Sequence, residues 1–473
     1  MSKNKRSSRI SRIVFFVSAT LLIAGLFYNQ ILPDMISNII KVILVLLIIA
    51  VILIKVRKLI LITLSVFMFI ASGTLFYSQY SINRLISQEN TEIDVITLVV
   101  LKNSPLTSID DLKDKKIGFA QQMDTGLVKY IKTTITDEVG PYSTVSYEDD
   151  LINLAKLYDK TTDVMVLDNS LRETIIELNP DFELKTRIIA TIKKVTIKDD
   201  TSIPIDTSKD PFVILISGVD SRTAGAVMDK ARSDVNILMI IHPKEHKILT
   251  ISIPRDTYTP LACRNGAMDK LTHSGIFGID CTVETIEDLF GLDINFYVKV
   301  NFTAFLNIVK VLGTIEVYSQ YAFKVIYYEK NITYSFIKGM NKMNAEKALV
   351  FARERHALPN GDFQRGINQQ EIIKGIINKV IEPQTLLKVE SLIKVASKSV
   401  VTNMPIESVM NLIQEQISNN TPWTITTSAL VGKDDYQPTY SMGKNRLLYV
   451  LWPDQTALTD LKLKIDAFMN PTD

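Results

Sequence analysis

Three long apolar stretches open the chain, and shorter apolar runs alternate with helical patterns after them. The long stretches cover roughly 13–32, 36–54 and 59–77, the second carrying Lys41 near its start. Each approaches the ~20 residues that a helix needs to cross a bilayer core. A cleaved signal peptide has one apolar run before a small-residue cleavage site, which three runs in succession do not fit. The competing reading is a buried helical hairpin of a soluble protein. Basic residues give the orientation. Lys3, Lys5, Arg6, Arg9 and Arg12 precede the first stretch, Lys55, Arg57 and Lys58 separate the second from the third, and the loop at 33–34 has none. The pattern predicts a cytoplasmic tail (1–12), three transmembrane helices within 13–80, and everything from about 81 onward outside the cell.

Beyond the membrane the chain reads as α/β. A polar stalk leads to strand-like runs at 95–101, 116–120 and 162–168, interleaved with helical patterns at 126–134 and 149–157 and an N-cap signal at Ser108. Strands alternating with helices predict a small α/β accessory domain, which with its stalk fills 81–200. It shows no catalytic constellation and reads as a spacer or interaction module. A Pro- and Asp-rich linker at 201–211 follows. Strong strands at 212–217, 235–241 and 247–253 and helices at 282–290, 302–311, 345–353 and 364–380 then predict a second α/β domain. It occupies 212–473, with a central sheet flanked by helices and a core at 212–380. The tail adds helices near 386–399 and 405–418 and a strand near 423–428. Val213, Leu215, Leu238, Ile240 and the 302–311 helix read as core.

Composition narrows the functional classes. Lys+Arg is 53 and Asp+Glu 51 in 473 residues, a net charge of +2, which argues against a broadly basic nucleic-acid binder. Two cysteines and four histidines exclude a disulfide scaffold, a multi-cysteine zinc site and a histidine-rich metal centre. The histidines, His242, His246, His273 and His356, read as loop or surface residues. No Walker loop or Gly-x-Ser-x-Gly elbow is present. A domain outside the membrane also has no cytosolic ATP to use.

Charged residues cluster at strand ends of the second domain. Asp220 and Arg222 follow its first strand, Arg232 and Asp234 precede the second, and Arg255 and Asp256 follow the third. Asp269 and Lys270 come next, then Arg353 and Arg355, then Asp362, Arg365 and Gln369. Ligands bind outside strand ends in open α/β sheets. Arginine forks pair two phosphate oxygens at once, and several on one pocket repel unless an anion sits there. Aspartates among them suit a hard divalent cation bridging to phosphate. The combination points to a pyrophosphate held by arginine and Mg²⁺. Taken singly, each Asp–Arg neighbour pair reads as a solvated surface ion pair; their shared placement favours the anion site.

These motifs resemble the LytR–CpsA–Psr proteins of Gram-positive cell envelopes. The pieces are Gly-Val-Asp-Ser-Arg (218–222), Ala-Arg-Ser-Asp (231–234), Ser-Ile-Pro-Arg-Asp-Thr (252–257), Asp-Lys (269–270), Ala-Arg-Glu-Arg (352–355) and Gly-Asp-Phe-Gln-Arg (361–365) with Gln369. Three crossings and an accessory domain look most like the capsule-associated, CpsA-type branch. Asn368 departs from the arginine that many members carry before the glutamine, leaving one fewer phosphate ligand.

The resemblance implies a Mg²⁺-dependent ligase, with a side pyrophosphatase activity. It would move a glycopolymer, capsular polysaccharide in this branch, from a polyprenyl-pyrophosphate carrier to peptidoglycan. By motif, Asp220 and Asp234 would hold Mg²⁺. Arg232, Arg255, Arg353, Arg355, Arg365 and Gln369 would bind the pyrophosphate, with Lys270 at its rim. Arg255 and Arg353 would also serve the transfer step. Asp256 or Asp362 would orient an arginine or take the attacking hydroxyl's proton. Capsule-assembly membrane proteins are further expected partners. A disulfide between Cys263 and Cys281 is allowed outside the membrane, and would pin the loop presenting Lys270; two separately buried thiols are the alternative. The competing function is a non-catalytic membrane regulator of envelope polymer synthesis that binds the carrier lipid.

Overall fold

The computed structural model describes residues 2–28, 34–54, 56–86, 91–197, 201–219, 230–327, 332–359, 361–386, 388–396, 400–419 and 421–470. Its first helices are α1 (Ser2–Tyr28), α2 (Asp34–Leu53) and α3 (Lys58–Ile86). Phe15, Ala19 and Leu22 of α1 pack with Leu61 and Met68 of α3 and Leu44 and Val51 of α2. Segments Ile10–Tyr28 and Lys58–Tyr77 are long and apolar enough to cross a membrane; the apolar part of α2, Ser37–Leu53, is shorter. By length and composition, two of the three expected spans therefore stand.

Residues 91–197 build a five-stranded sheet from β1 (Thr91–Leu101), β2 (Lys116–Ala120), β3 (Ser143–Tyr147), β4 (Val164–Asp168) and β5 (Thr186–Ile197), in the order β3-β2-β4-β1-β5. Strand β1 runs antiparallel to both β4 and β5, while β2 runs parallel to β3 and β4. Helices α4 (Thr125–Val139), α5 (Asp150–Tyr158), α6 (Arg172–Leu178) and α7 (Phe182–Lys185) complete it. Alternate residues of β1 serve two cores, Ile96, Leu98 and Val100 facing α4 and Val99 facing α5 and α6.

The second sheet has six strands in the order β16-β11-β6-β7-β8-β17. They are β6 (Phe212–Val219), β7 (Ser233–His242), β8 (Lys247–Ile253), β11 (Phe296–Asn301), β16 (Val400–Thr402) and β17 (Thr424–Ala429). One face packs Val213, Leu215, Leu238 and Ile240 on α9 (Ile279–Phe290) and α16 (Gln455–Met469). The other buries Phe212, Ile214, Ile241 and Phe296 beneath α12 (Gly361–Val380) and α15 (Ile406–Asn419). A third cluster joins α10 (Phe302–Leu312), α11 (Ala345–Arg353) and α12 to two hairpin-like pairs. These are β12 (Ile315–Ser319) with β15 (Gly339–Met343), and β13 (Phe323–Tyr327) with β14 (Ile332–Phe336).

Two further antiparallel pairs are β9 (Tyr258–Leu261) with β10 (Ala267–Lys270), and β18 (Gly432–Thr439) with β19 (Gly443–Pro453). Short helix α8 (Leu271–Ser274) follows β10. Of the helix expected over 386–399, the described part is α14 (Val389–Ala396), preceded by the short α13 (Pro383–Leu386); 387 and 397–399 lie outside the described residues, and α14 leans on α3. The segment read as a linker is bound to the second sheet's unit. Thr207 is fully buried and donates its hydroxyl to Ser408 O at 2.9 Å, and Ile203 N donates to Asn295 O at 3.2 Å.

Candidate functional site

Sheet register brings the predicted chemistry to one edge. Strands β6 and β7 are antiparallel with Val219 opposite Ser233, and β7 and β8 are antiparallel with Asn236 opposite Ile253. The end of β6, the start of β7 and the end of β8 therefore share an edge, and β17, parallel to β8, ends there too. Helix α12 crosses this edge closely because residue 366 is glycine: a Cβ there would lie 2.8 Å from Ser252 Oγ. Buried Gln370 fixes the crossing, its amide donating to Thr250 O at 3.2 Å on β8 and Ser428 O at 2.7 Å on β17. Residues one helical turn apart share a face, so Arg365 and Gln369 both look onto the sheet edge.

A cavity opens between them, with about 330 Å³ of empty space that includes open solvent; Asp234, Arg255, Phe363, Arg365, Gly366 and Gln369 line it. Arg255 Nη1 donates to Asp234 Oδ1 at 2.8 Å, and Thr272 Oγ1 donates to the same oxygen at 3.0 Å. Arg255 Nε lies 3.6 Å from Asp256 Oδ2, and Lys270 Nζ donates to Asp256 Oδ1 at 2.7 Å. The result is an alternating acid–base ladder, Asp234–Arg255–Asp256–Lys270, with each side chain 15% exposed or less. Burial alone would push the Asp256 carboxyl up, but Lys270 and Arg255 outweigh it and hold the group below its usual range. A carboxylate so held is a poor proton acceptor and a good clamp for Arg255.

The β9–β10 pair carries Lys270 into place. Cys263 and Cys281 form a disulfide that ties the turn between these strands to α9. Beneath Lys270, Asp269 and His273 are buried, at 0% and 2% exposure. Asp269 Oδ1 accepts from the Lys270 backbone at 2.7 Å and meets His273 Nδ1 at 2.6 Å, while Ser441 Oγ meets the same ring nitrogen at 2.8 Å. Both partners sit on one nitrogen, so this trio is a structural anchor and not a proton relay. His273, His242 and His246 are all buried, contrary to the surface reading; His356 is exposed.

Several expected ligands stand elsewhere. Arg232 Nη1 is 3.0 Å from Glu177 Oε2 on α6, directed at the first sheet. Arg353 and Arg355 are exposed at and beyond the end of α11, outside the cavity lining. Gln369 links the two helices by donating to Ala352 O at 3.2 Å. Asn368, the departure from the motif, is buried and takes a hydrogen bond from Gln364 at 3.3 Å. Asp220 and the side chain of Asp362 lie outside the described residues. Thr272 is the contact to Asp234 that sequence reasoning missed; its only signal was a place two residues after Lys270.

For a divalent cation, the described residues supply one carboxylate at the cavity, Asp234. They include no group of three or more His, Cys, Asp or Glu able to hold a metal ion. Mg²⁺ commonly uses one or two carboxylates, substrate phosphate and waters, so Asp234 fits such a role with both of its contacts, Arg255 and Thr272, on a single oxygen.

Comparison with known proteins agrees with the motifs. Polyisoprenyl-teichoic acid–peptidoglycan teichoic acid transferase TagU of Bacillus licheniformis is 38% identical over 216 residues, 46% of this chain and 67% of the relative. TagU of Bacillus subtilis has the same identity and coverage. The crystal structure of B. subtilis TagU superposes with a TM-score of 0.43 at 32% identity, covering 56% of this chain and 99% of that one. The LytR_cpsA_psr family matches residues 182–454, more than half of the chain, and the protein belongs to that family.

Proposed function

We propose that this protein is a membrane-anchored transferase that moves a glycopolymer from a polyprenyl-pyrophosphate carrier to peptidoglycan outside the cell. The observation that carries this reading is the meeting of Asp234, Arg255, Arg365 and Gln369 around one cavity at the sheet edge. Kinship with the TagU transferases supports the reaction class. The three amino-terminal apolar stretches and the 91–197 domain, which resemble the capsule-associated branch, favour capsular polysaccharide as the carried polymer; the distribution of basic residues favours three crossings by α1–α3 with the amino terminus inside.

Arg255 and Arg365 bind the diphosphate as fixed forks, and the Gln369 amide adds a neutral donor. An acceptor hydroxyl of peptidoglycan attacks the phosphorus nearer the glycan. A new P–O bond forms, the bridging P–O–P bond breaks, polyprenyl phosphate leaves, and the hydroxyl proton is released. Asp234 and Asp256 keep Arg255 aimed at the charge that develops in this step. Asp234, with Asp220, would hold Mg²⁺, which supplies further charge stabilisation.

The test incubates purified full-length protein with Mg²⁺, a synthetic polyprenyl-pyrophosphate glycan and peptidoglycan, and measures wall-linked glycan by mass spectrometry. A phosphodiester-linked product is expected. Tight lipid binding with no product would instead support a non-catalytic regulator.

A further inference from the structure

The first sheet meets the second sheet's unit through a row of carboxylates. Glu92 and Asp94 stand on β1, Asp149 and Asp150 at the start of α5, and Asp168 at the end of β4. Lys230 answers part of this charge. Its Nζ lies 2.7 Å from Asp94 Oδ1 and 3.9 Å from Glu92 Oε2, and its backbone N donates to Ile93 O at 3.3 Å.

A second cavity lies in this joint, with about 540 Å³ of empty space that includes open solvent. Asp94, Asp150 and Asp168 form one wall, while Arg264, Phe277 and Tyr440 come from the other unit. Asp150 is 6% exposed, and its Oδ1 is buried without a hydrogen-bond partner. A buried polar atom left unmatched is costly, so a native fold that keeps one has a use for it. Arg264 lies 4.0 Å from the Phe277 ring centroid, which fixes its guanidinium plane, and its Nε is likewise buried without a hydrogen-bond partner.

The chemistry asks for a cation on one side and an anion on the other. Lys230 is already engaged by Asp94, leaving Asp150 and Asp168 to face the cavity with Ser170 as the hydrogen-bond donor to Asp168. An inorganic cation is disfavoured, because these carboxylates do not form a metal-holding group. An organic ammonium places its protons at the end of a carbon skeleton and can reach separated carboxylates. Arginine forks recognise carboxylate or phosphate, so the same ligand needs an anionic end. The space open to the centre of a water-sized sphere is about 50 Å³, room for a few heavy atoms, so the ligand must be small.

We propose that this cavity binds a small zwitterion of the amino-acid class, its ammonium on Asp150 and Asp168 and its anionic group on Arg264. The site is separate from the Arg255 cavity and does not depend on the transferase reading.

Isothermal titration of the full-length protein in nanodiscs tests it, with free glycine, alanine, lysine and glutamate as probes. Lactate and ethylamine, each lacking one of the two charges, are the controls. At least one amino acid should saturate a single site, with both controls weaker by about tenfold or more. Asp150→Asn, which preserves shape, and Arg264→Gln should each weaken that amino acid by about tenfold while circular dichroism shows the fold intact. No saturation by any amino acid up to about 10 mM, binding of the controls equal to that of the amino acids, or unchanged affinity in both variants would overturn the proposal. So would binding of Mg²⁺ alone that Asp150→Asn abolishes.

Discussion

Arg232 Nη1 and Glu177 Oε2 stand 3.0 Å apart, joining the segment that leads into Asp234 to a helix of the first sheet. Arg232 is thereby directed away from the cavity that holds Asp234 and Arg255. We expect Glu177→Gln to free the guanidinium for the lipid diphosphate and raise kcat/KM for transfer severalfold, through KM rather than kcat. Steady-state kinetics over a range of lipid concentrations reads this. Identical constants for variant and wild type would make the contact an ordinary surface pair, of which many contribute nothing measurable.

The Lys270–Asp256 contact is a pair whose side chains are 13% and 11% exposed. Removing Lys270 leaves buried Asp256 with Arg255 alone, at 3.6 Å, and costs up to about 3 kcal/mol. Lys270→Met should therefore lower the melting temperature, and Lys270→Met combined with Asp256→Leu should restore most of it. Because the folded Asp256 carboxyl titrates below its ordinary 3.8, the stability it contributes is present above that pH and is lost on acidification below it. Thermal melts of the three proteins at neutral pH and near pH 3 check both halves.

Asp150 has the opposite sign. Burial first, then the neighbouring carboxylates Asp168 and Asp149, raise its pKa to about 8 from 3.8. With no cation bound, the folded state therefore prefers the protonated acid, and an ammonium seated on Asp150 would hold it ionised. Its contribution is complete below the unfolded value and declines as pH rises towards 8. Glu92, Asp94 and Lys230 face the same joint, and none of them reverses this direction. Wild-type protein should lose thermal stability between pH 5 and pH 8, and Asp150→Asn should flatten that slope. Parallel slopes would show that Asp150 stays ionised when folded.

Gly366 sets how near α12 comes to the cavity floor. Its added Cβ would meet Ser252 Oγ at 2.8 Å, so Gly366→Ala either turns the Ser252 hydroxyl away or shifts the helix, and Arg365 with it, off the sheet edge; we expect the shift, because Ser252 is buried. A drop in kcat/KM of about tenfold is expected, with partial rescue by Ser252→Gly. A fully active Gly366→Ala would mean that the helix position is not critical.

Much of this site was legible as sequence, for a physical reason. Residues flanking strand ends stay local to the sheet whatever the rest of the chain does, so Arg232–Asp234 and Arg255–Asp256 could be placed at one edge from the strand pattern alone. Gln369 and Arg365 followed from helical spacing. What the pattern could not give was direction. Arg232 is turned by Glu177, which lies 55 positions away in sequence, and no local signal encodes that partner. His273 read as a surface residue because its burial depends on Ser441, 168 positions on. The two-stranded pairs, such as β9 with β10, also escaped notice. Strands β9 and β10 have four residues each, too few to show an apolar alternation, and a 3₁₀ turn lies between them.

The most direct measurement of the central claim is the amount of glycan transferred to peptidoglycan by wild-type protein, Arg255→Ala and Arg365→Ala under one set of conditions. Each substitution removes a charged donor from the developing phosphoryl charge, which typically costs about 10²–10³ in rate. Losses of that size in both variants, with melting temperatures preserved, are the predicted result. Wild-type transfer by both variants would contradict the account.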